Sequence, residues 1–172
     1  MGFRFSLLIG TVLSALAGLG CASPALREPV AREAEVRRLP PVELLDAGHR
    51  PTTLSEVVRG RPALVNLWAT WCEACEREFE ALNRLYGEVG ERALVVGVAV
   101  GEPHEQVVGF ANRRGLRYPL LVDEEFAFSD ALGSSRVPTT LVLDRGGNVR
   151  FAGGELDRSA LETFKAVLVP PR

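Results

Sequence analysis

The chain has 172 residues, of which 20 are basic and 22 acidic, for a formal net charge of −2, and 47% are hydrophobic. That length accommodates one domain with a real core plus a leader. The basic residues lie scattered among the acids with no basic stripe, which excludes an electrostatic nucleic-acid binder, and three cysteines are too few for a disulfide framework.

Residues 1–21 read as a secretory signal. Arg4 gives a short positive start, and Phe5 to Leu19 form a nearly unbroken apolar run. The run is short for a helix that must cross a bilayer with about 20 residues. Gly18-Leu19-Gly20-Cys21 resembles a bacterial lipobox, imperfectly, because Gly18 stands where leucine is usual. The resemblance implies lipidation at Cys21 and a product tethered to a membrane through its N-terminus. Cleavage near Ala22, or an uncleaved anchor, also places the domain outside the cytoplasm. Residues 22–39 carry Arg27, Glu28, Arg32, Glu33, Glu35, Arg37 and Arg38 with few large apolar groups, and read as a charged linker. The folded domain is assigned to residues 40–172.

From there apolar strands alternate with amphipathic stretches. Val42 to Leu45 is a short strand, Asp46-Ala47-Gly48 a turn, and Ser55 a cap for one helical turn over Glu56 to Arg59, stopped by Gly60. Ala63 to Trp68 is continuously apolar except for Asn66, as a buried strand is. Glu73 to Tyr86 is a helix with Phe79, Leu82, Leu85 and Tyr86 on one face, ended by Gly87. Ala93 to Val100 is a second buried strand, and Pro103 to Arg114 a helix with Gly115 after its end. Tyr118 to Val122 leads to Asp123, a cap for a helical turn over Glu125 to Leu132. Thr139 to Leu143 and Val149 to Ala152 pair across the Asp144–Asn148 turn, and Asp157 caps a last helix over Arg158 to Val169. The order predicts an α/β fold with a central mixed sheet and helices on both faces.

Cys72 and Cys75 lie at the junction of the first buried strand with its helix. Cysteines at this spacing can close a small disulfide ring. The first sits where free backbone N–H groups and the helix dipole stabilise a thiolate, the attacking species in disulfide exchange. Glu73 puts a carboxylate beside that nucleophile and disfavours the thiolate, which leans the pair towards donating electrons. Glu78, three residues after Cys75, shares its side of the helix, on a charged face with Glu76, Arg77 and Glu80.

Three segments resemble the thioredoxin superfamily, and within it the exported TlpA/ResA/CcmG-like thiol–disulfide oxidoreductases: Leu64 to Cys75, Glu78, and Val137-Pro138-Thr139-Thr140-Leu141-Val142-Leu143-Asp144. The resemblance spans about residues 40–168 and implies a thioredoxin-like fold. It makes Cys72 the nucleophile, more exposed than Cys75, which resolves the mixed disulfide, and it makes Glu78 a group that tunes cysteine protonation or accepts a proton from Cys75. It makes Pro138 a cis-proline that sets the Val137 backbone beside Cys72, with Trp71, Val137, Pro138 and Thr139 meeting substrate and Asn66 below the cysteines. Ala74, Glu80 and Arg136 depart from the pattern, standing for two prolines and a glycine. The implied protein is a monomer that reduces protein disulfides, with cytochrome c maturation as one route, and draws electrons from a membrane thiol-transfer protein. It uses no cofactor beyond the Cys72–Cys75 redox-active disulfide. Two alternatives rest on the same residues. A copper-binding chaperone would need His49 or His104 beside the cysteines, and no metal site is expected. A peroxiredoxin-like peroxidase would need a Pro-x-x-x-Thr-x-x-Cys context, whereas Thr70 lies two residues before Cys72 and the proline is missing.

Overall fold

The computed structural model describes residues 38–134 and 136–169, so the signal segment, Cys21 and all but the end of the charged linker lie outside the described residues. Seven strands form one mixed sheet: β1 (Glu43–Asp46), β2 (Pro51–Thr53), β3 (Ala63–Trp68), β4 (Leu94–Val100), β5 (Leu120–Asp123), β6 (Thr139–Leu143) and β7 (Val149–Gly153). Their order is β2-β1-β5-β4-β3-β6-β7. β3, β4 and β5 run parallel, β6 is antiparallel to β3, and β1 is antiparallel to β5. Every residue of β3, β4, β5 and β6 is buried, as central strands covered on both faces must be.

Six helices cover the sheet among the described residues: α1 (Leu54–Val58), α2 (Glu73–Glu76), α3 (Phe79–Val89), α4 (His104–Arg114), α5 (Ala127–Ala131) and α6 (Arg158–Leu168). Residues of α2, α3, α4 and α6 pack with Leu64, Trp68, Val95 and Ala99 in one core. Leu54, Val58, Phe128 and Leu132 pack with Val65, Leu67, Val96 and Val98 in the other. The two cores are the two faces of β3 and β4, separated by the period-two alternation of strand side chains.

Four expectations are corrected. The helical turn before β3 is capped by Thr53 and not by Ser55. Thr53 Oγ1 accepts from Glu56 N at 3.2 Å, while Glu56 Oε2 accepts from Thr53 N at 2.8 Å, a reciprocal pair that fixes the helix start. β2 is an additional edge strand beside β1. The helix expected over 73–86 is two: Arg77 and Glu78 form a tight turn in which Glu78 N–H donates to the Cys75 carbonyl, three residues back, at 3.0 Å. Gly87 lies inside α3, which runs on to Val89. Asp123 does hold the start of the next helix, accepting from Phe128 N at 3.0 Å and Ser129 N at 2.9 Å.

Candidate active site

β3 occupies the middle of the sheet and delivers the chain to Cys72 at its C-terminal end. The intervening turn closes through Cys72 N–H and the Ala69 carbonyl at 3.1 Å. Cys72 is the N-cap of α2 with extended backbone, φ −90° and ψ 96°, and its Sγ accepts from Cys75 N–H at 3.1 Å. The cysteines are joined as a disulfide with Cα atoms 5.3 Å apart. Cys75 is fully buried, and Cys72 keeps 5% of its surface. Cys72 is the more accessible of the two, but far less open than the sequence suggested, because it packs into the cluster of Trp68, Phe79 and Phe164, with Ala74 and Val137 against it.

The turn is held from outside its own sequence. Glu102, just beyond the end of β4, is 5% exposed and accepts from Thr70 N–H at 2.6 Å and from the Thr70 hydroxyl. Gln106 Nε2 donates to Glu102 at 2.7 Å and to Thr70 Oγ1 at 3.2 Å. Sequence reasoning did not select Glu102. Its available signal was its place after a buried parallel strand, at the sheet end where open α/β folds gather their chemistry.

Glu78 is buried, 8% exposed, and does not belong to a solvated charged face. Its Oε2 accepts from Asn66 Nδ2 at 3.0 Å and its Oε1 from Leu156 N–H at 2.5 Å. Burial pushes its carboxyl above the ordinary carboxylate value, and these two donors pull only part of the way back. The neighbouring Arg77 pairs with Glu155 at 3.6 Å, fastening the segment that presents Leu156. Asn66 thus meets a carboxylate. Glu73 is exposed in the first turn of α2, and Glu76 pairs with Arg114 at 2.6 Å.

Val137–Pro138 is cis and precedes β6, whose Thr139 pairs with Leu67 of β3. This loop therefore sits at the same sheet end as Cys72. The Thr139 hydroxyl donates to the Arg136 carbonyl at 2.8 Å, which ties the loop from within. Trp71 is 69% exposed, a large aromatic surface next to Cys72 in the chain.

The His49 and His104 rings meet at a tilt of 58° with centroids 4.5 Å apart, and His104 Nε2–H donates to the Asp46 carbonyl at 2.8 Å. Among the described residues no group of three or more His, Cys, Asp or Glu side chains is placed to hold a metal ion. No described helix is long and apolar enough to cross a membrane.

The chain is similar to known proteins. The chain is 38% identical over 93 residues to the thiol-disulfide oxidoreductase ResA of Geobacillus thermodenitrificans, covering 54% of this chain and 53% of that protein. It is 28% identical over 129 residues to ResA of Bacillus subtilis, covering 74% and 72% of the two chains. The match thus spans only about half the length of the first of these relatives. A crystal structure of a putative thiol:disulfide interchange protein DsbE from Chlorobium tepidum superposes with a TM-score of 0.70 at 21% identity, over 78% of this chain and 98% of that one. Its fold is the thioredoxin-like one expected from the sequence. Residues 36–152 match the AhpC/TSA family, and the chain belongs to that thioredoxin-like family.

Proposed function

We propose that the protein is an exported thiol–disulfide oxidoreductase that reduces disulfides in other extracytoplasmic proteins. The observation that carries the reading is the Cys72–Cys75 disulfide at a helix start, with one sulfur slightly open and the other sealed against the core. In the reduced protein the Cys72 thiolate attacks a client disulfide, forms a mixed disulfide and releases the first client thiolate. Cys75 then loses its proton, bonds to Cys72, and the second client thiolate departs. Cys75 has no contact with bulk water, so its proton needs an internal acceptor. Glu78, buried and shifted towards its protonated form, suits that task. Trp71 and the Val137 backbone receive the client chain on either side of Cys72, the latter as an added strand.

Exposed Glu73 adds negative charge near the thiolate and favours the electron-donating direction. The names of the relatives favour this chemistry over a peroxidase or a metal carrier. Tethering through Cys21, a monomeric state, and electron supply from a membrane thiol-transfer protein complete the reading. Cytochrome c maturation is one client route. The test is reduction of insulin disulfides by the purified domain, with the midpoint potential of the cysteine pair measured alongside. Turnover that Cys72→Ser abolishes supports the reading. A potential as oxidising as about −120 mV defeats the reductase direction.

A further inference from the structure

Four buried polar atoms have no hydrogen-bond partner among the described residues: Asn66 Oδ1, Trp68 Nε1, Tyr118 OH and Thr140 Oγ1. Buried polar groups are overwhelmingly paired, so four on one sheet face call for a common cause. Asn66 lies opposite Gly97 on β4 and opposite Thr140 on β6, and paired residues point to the same face. Trp68 is the next residue on that face of β3. Tyr118 lies two residues before Leu120, which pairs with Gly97. Gly97 makes room for two of them: a Cβ there would lie 2.9 Å from Trp68 Nε1 and 2.9 Å from the Tyr118 ring at Cε2, with Asn66 on the neighbouring strand and Thr140 one strand further. Glu78 reaches the same place, because Asn66 Nδ2 donates to it and its charge adds to the burial that pushes the Tyr118 phenol up.

We propose that these four groups form an internal water site, and that Tyr118 is a positioning residue linking this water to the Glu78 carboxyl. The chemistry of the four fits water. The indole N–H only donates, the amide oxygen only accepts, and the two hydroxyls do either, which matches a molecule with two donors and two acceptors. A buried water needs two to four such partners in a polar site.

The role follows from an asymmetry around Glu78 and rests on its reading as the proton acceptor for Cys75. Both of its oxygens face N–H donors, Asn66 and Leu156. Those donors serve a carboxylate and offer nothing to a carboxylic O–H. When Cys75 resolves the mixed disulfide, its proton passes to Glu78. Its sulfur lone pair forms the bond to Cys72, and the bond from Cys72 to the client sulfur breaks with its electrons on the client. The new O–H then needs an acceptor, and water fixed by Tyr118 provides one. The other ionisable groups that interact with Glu78 are Arg77, Glu155 and Tyr118.

Tyr118→Phe keeps the ring over Gly97 and removes only the hydroxyl. The experiment pairs a high-resolution crystal structure of the wild-type protein with pH profiles of insulin reduction for wild type, Tyr118→Phe and Glu78→Gln. The expected result is an ordered water within hydrogen-bonding distance of at least two of the four atoms. The pH limb that Glu78→Gln removes should move in Tyr118→Phe, with the rate on its flank changed about fivefold, the worth of one hydrogen bond. A dry floor, or superimposable wild-type and Tyr118→Phe profiles, overturns the proposal. A limb that persists in Glu78→Gln instead overturns the proton-acceptor reading of Glu78, while the crystal structure still decides the water site.

Discussion

A carboxyl group that leaves water without a cation beside it prefers to keep its proton, and Glu78 is in that position. Its nearest charge partners are N–H dipoles, and the nearby Arg77 is engaged with Glu155. The sign for stability follows from its raised value. The folded state holds the proton more tightly than the unfolded chain, so Glu78 favours folding fully below the ordinary value of 4.5, and this contribution is lost as pH rises through the folded value. Urea unfolding at pH 4 and pH 7 should therefore show wild type losing more stability between the two than Glu78→Gln does. An equal change in both proteins would contradict the shift. Cys72, Cys75 and Pro138 were legible because each belongs to a short local pattern. Glu102 was not, because its meaning lies in a bond to Thr70, 32 residues away. The burial of Glu78 was equally hidden, since it depends on Asn66 and on Leu156, which is 78 residues distant.

At the scale of elements, the start of α2 is fixed by contacts from β4 as much as by its own sequence. Glu102 satisfies both the N–H and the hydroxyl of Thr70, two residues before Cys72. Glu102→Ala leaves those donors unpaired and should cost about 1–3 kcal/mol in urea unfolding. It should also slow disulfide exchange, on the order of tenfold or more, since displacement of a reacting group weakens its geometry. Unchanged exchange kinetics would show that the turn holds itself. Gly97 makes a second element-level test. Adding one methyl group there must move the Trp68 indole or the Tyr118 ring, and overpacking of this kind costs about 1–3 kcal/mol. A Gly97→Ala protein as stable as wild type would mean that the two rings have slack.

The strands β3 and β6 could be read to the residue because unbroken apolar runs leave little choice. The α2–α3 break could not, because Phe79 and Leu82 also suit one continuous helix, and the break comes from the capture of Glu78 below. β2 was missed because three residues beginning with proline carry almost no periodic signal.

Across the whole molecule, topology brings the working parts together. The C-terminal ends of parallel β3 and β4 and the start of antiparallel β6 meet at one end of the sheet. They carry the Cys72 turn, the Glu102 clamp and the cis Val137–Pro138 loop, which come from three separate stretches of chain. The sheet order places them side by side before any substrate arrives, which is the preorganisation that the proposed thiol exchange requires. The proposed chemistry turns on an order of events: Cys72 attacks and Cys75 resolves. Mass spectrometry of adducts with a disulfide-linked test peptide reads that order directly, using reduced Cys75→Ser and Cys72→Ser proteins. The expected result is a stable peptide adduct on Cys72 in the Cys75→Ser protein and none on Cys75 in the Cys72→Ser protein. An adduct forming on Cys75 while Cys72 stays unmodified would contradict it.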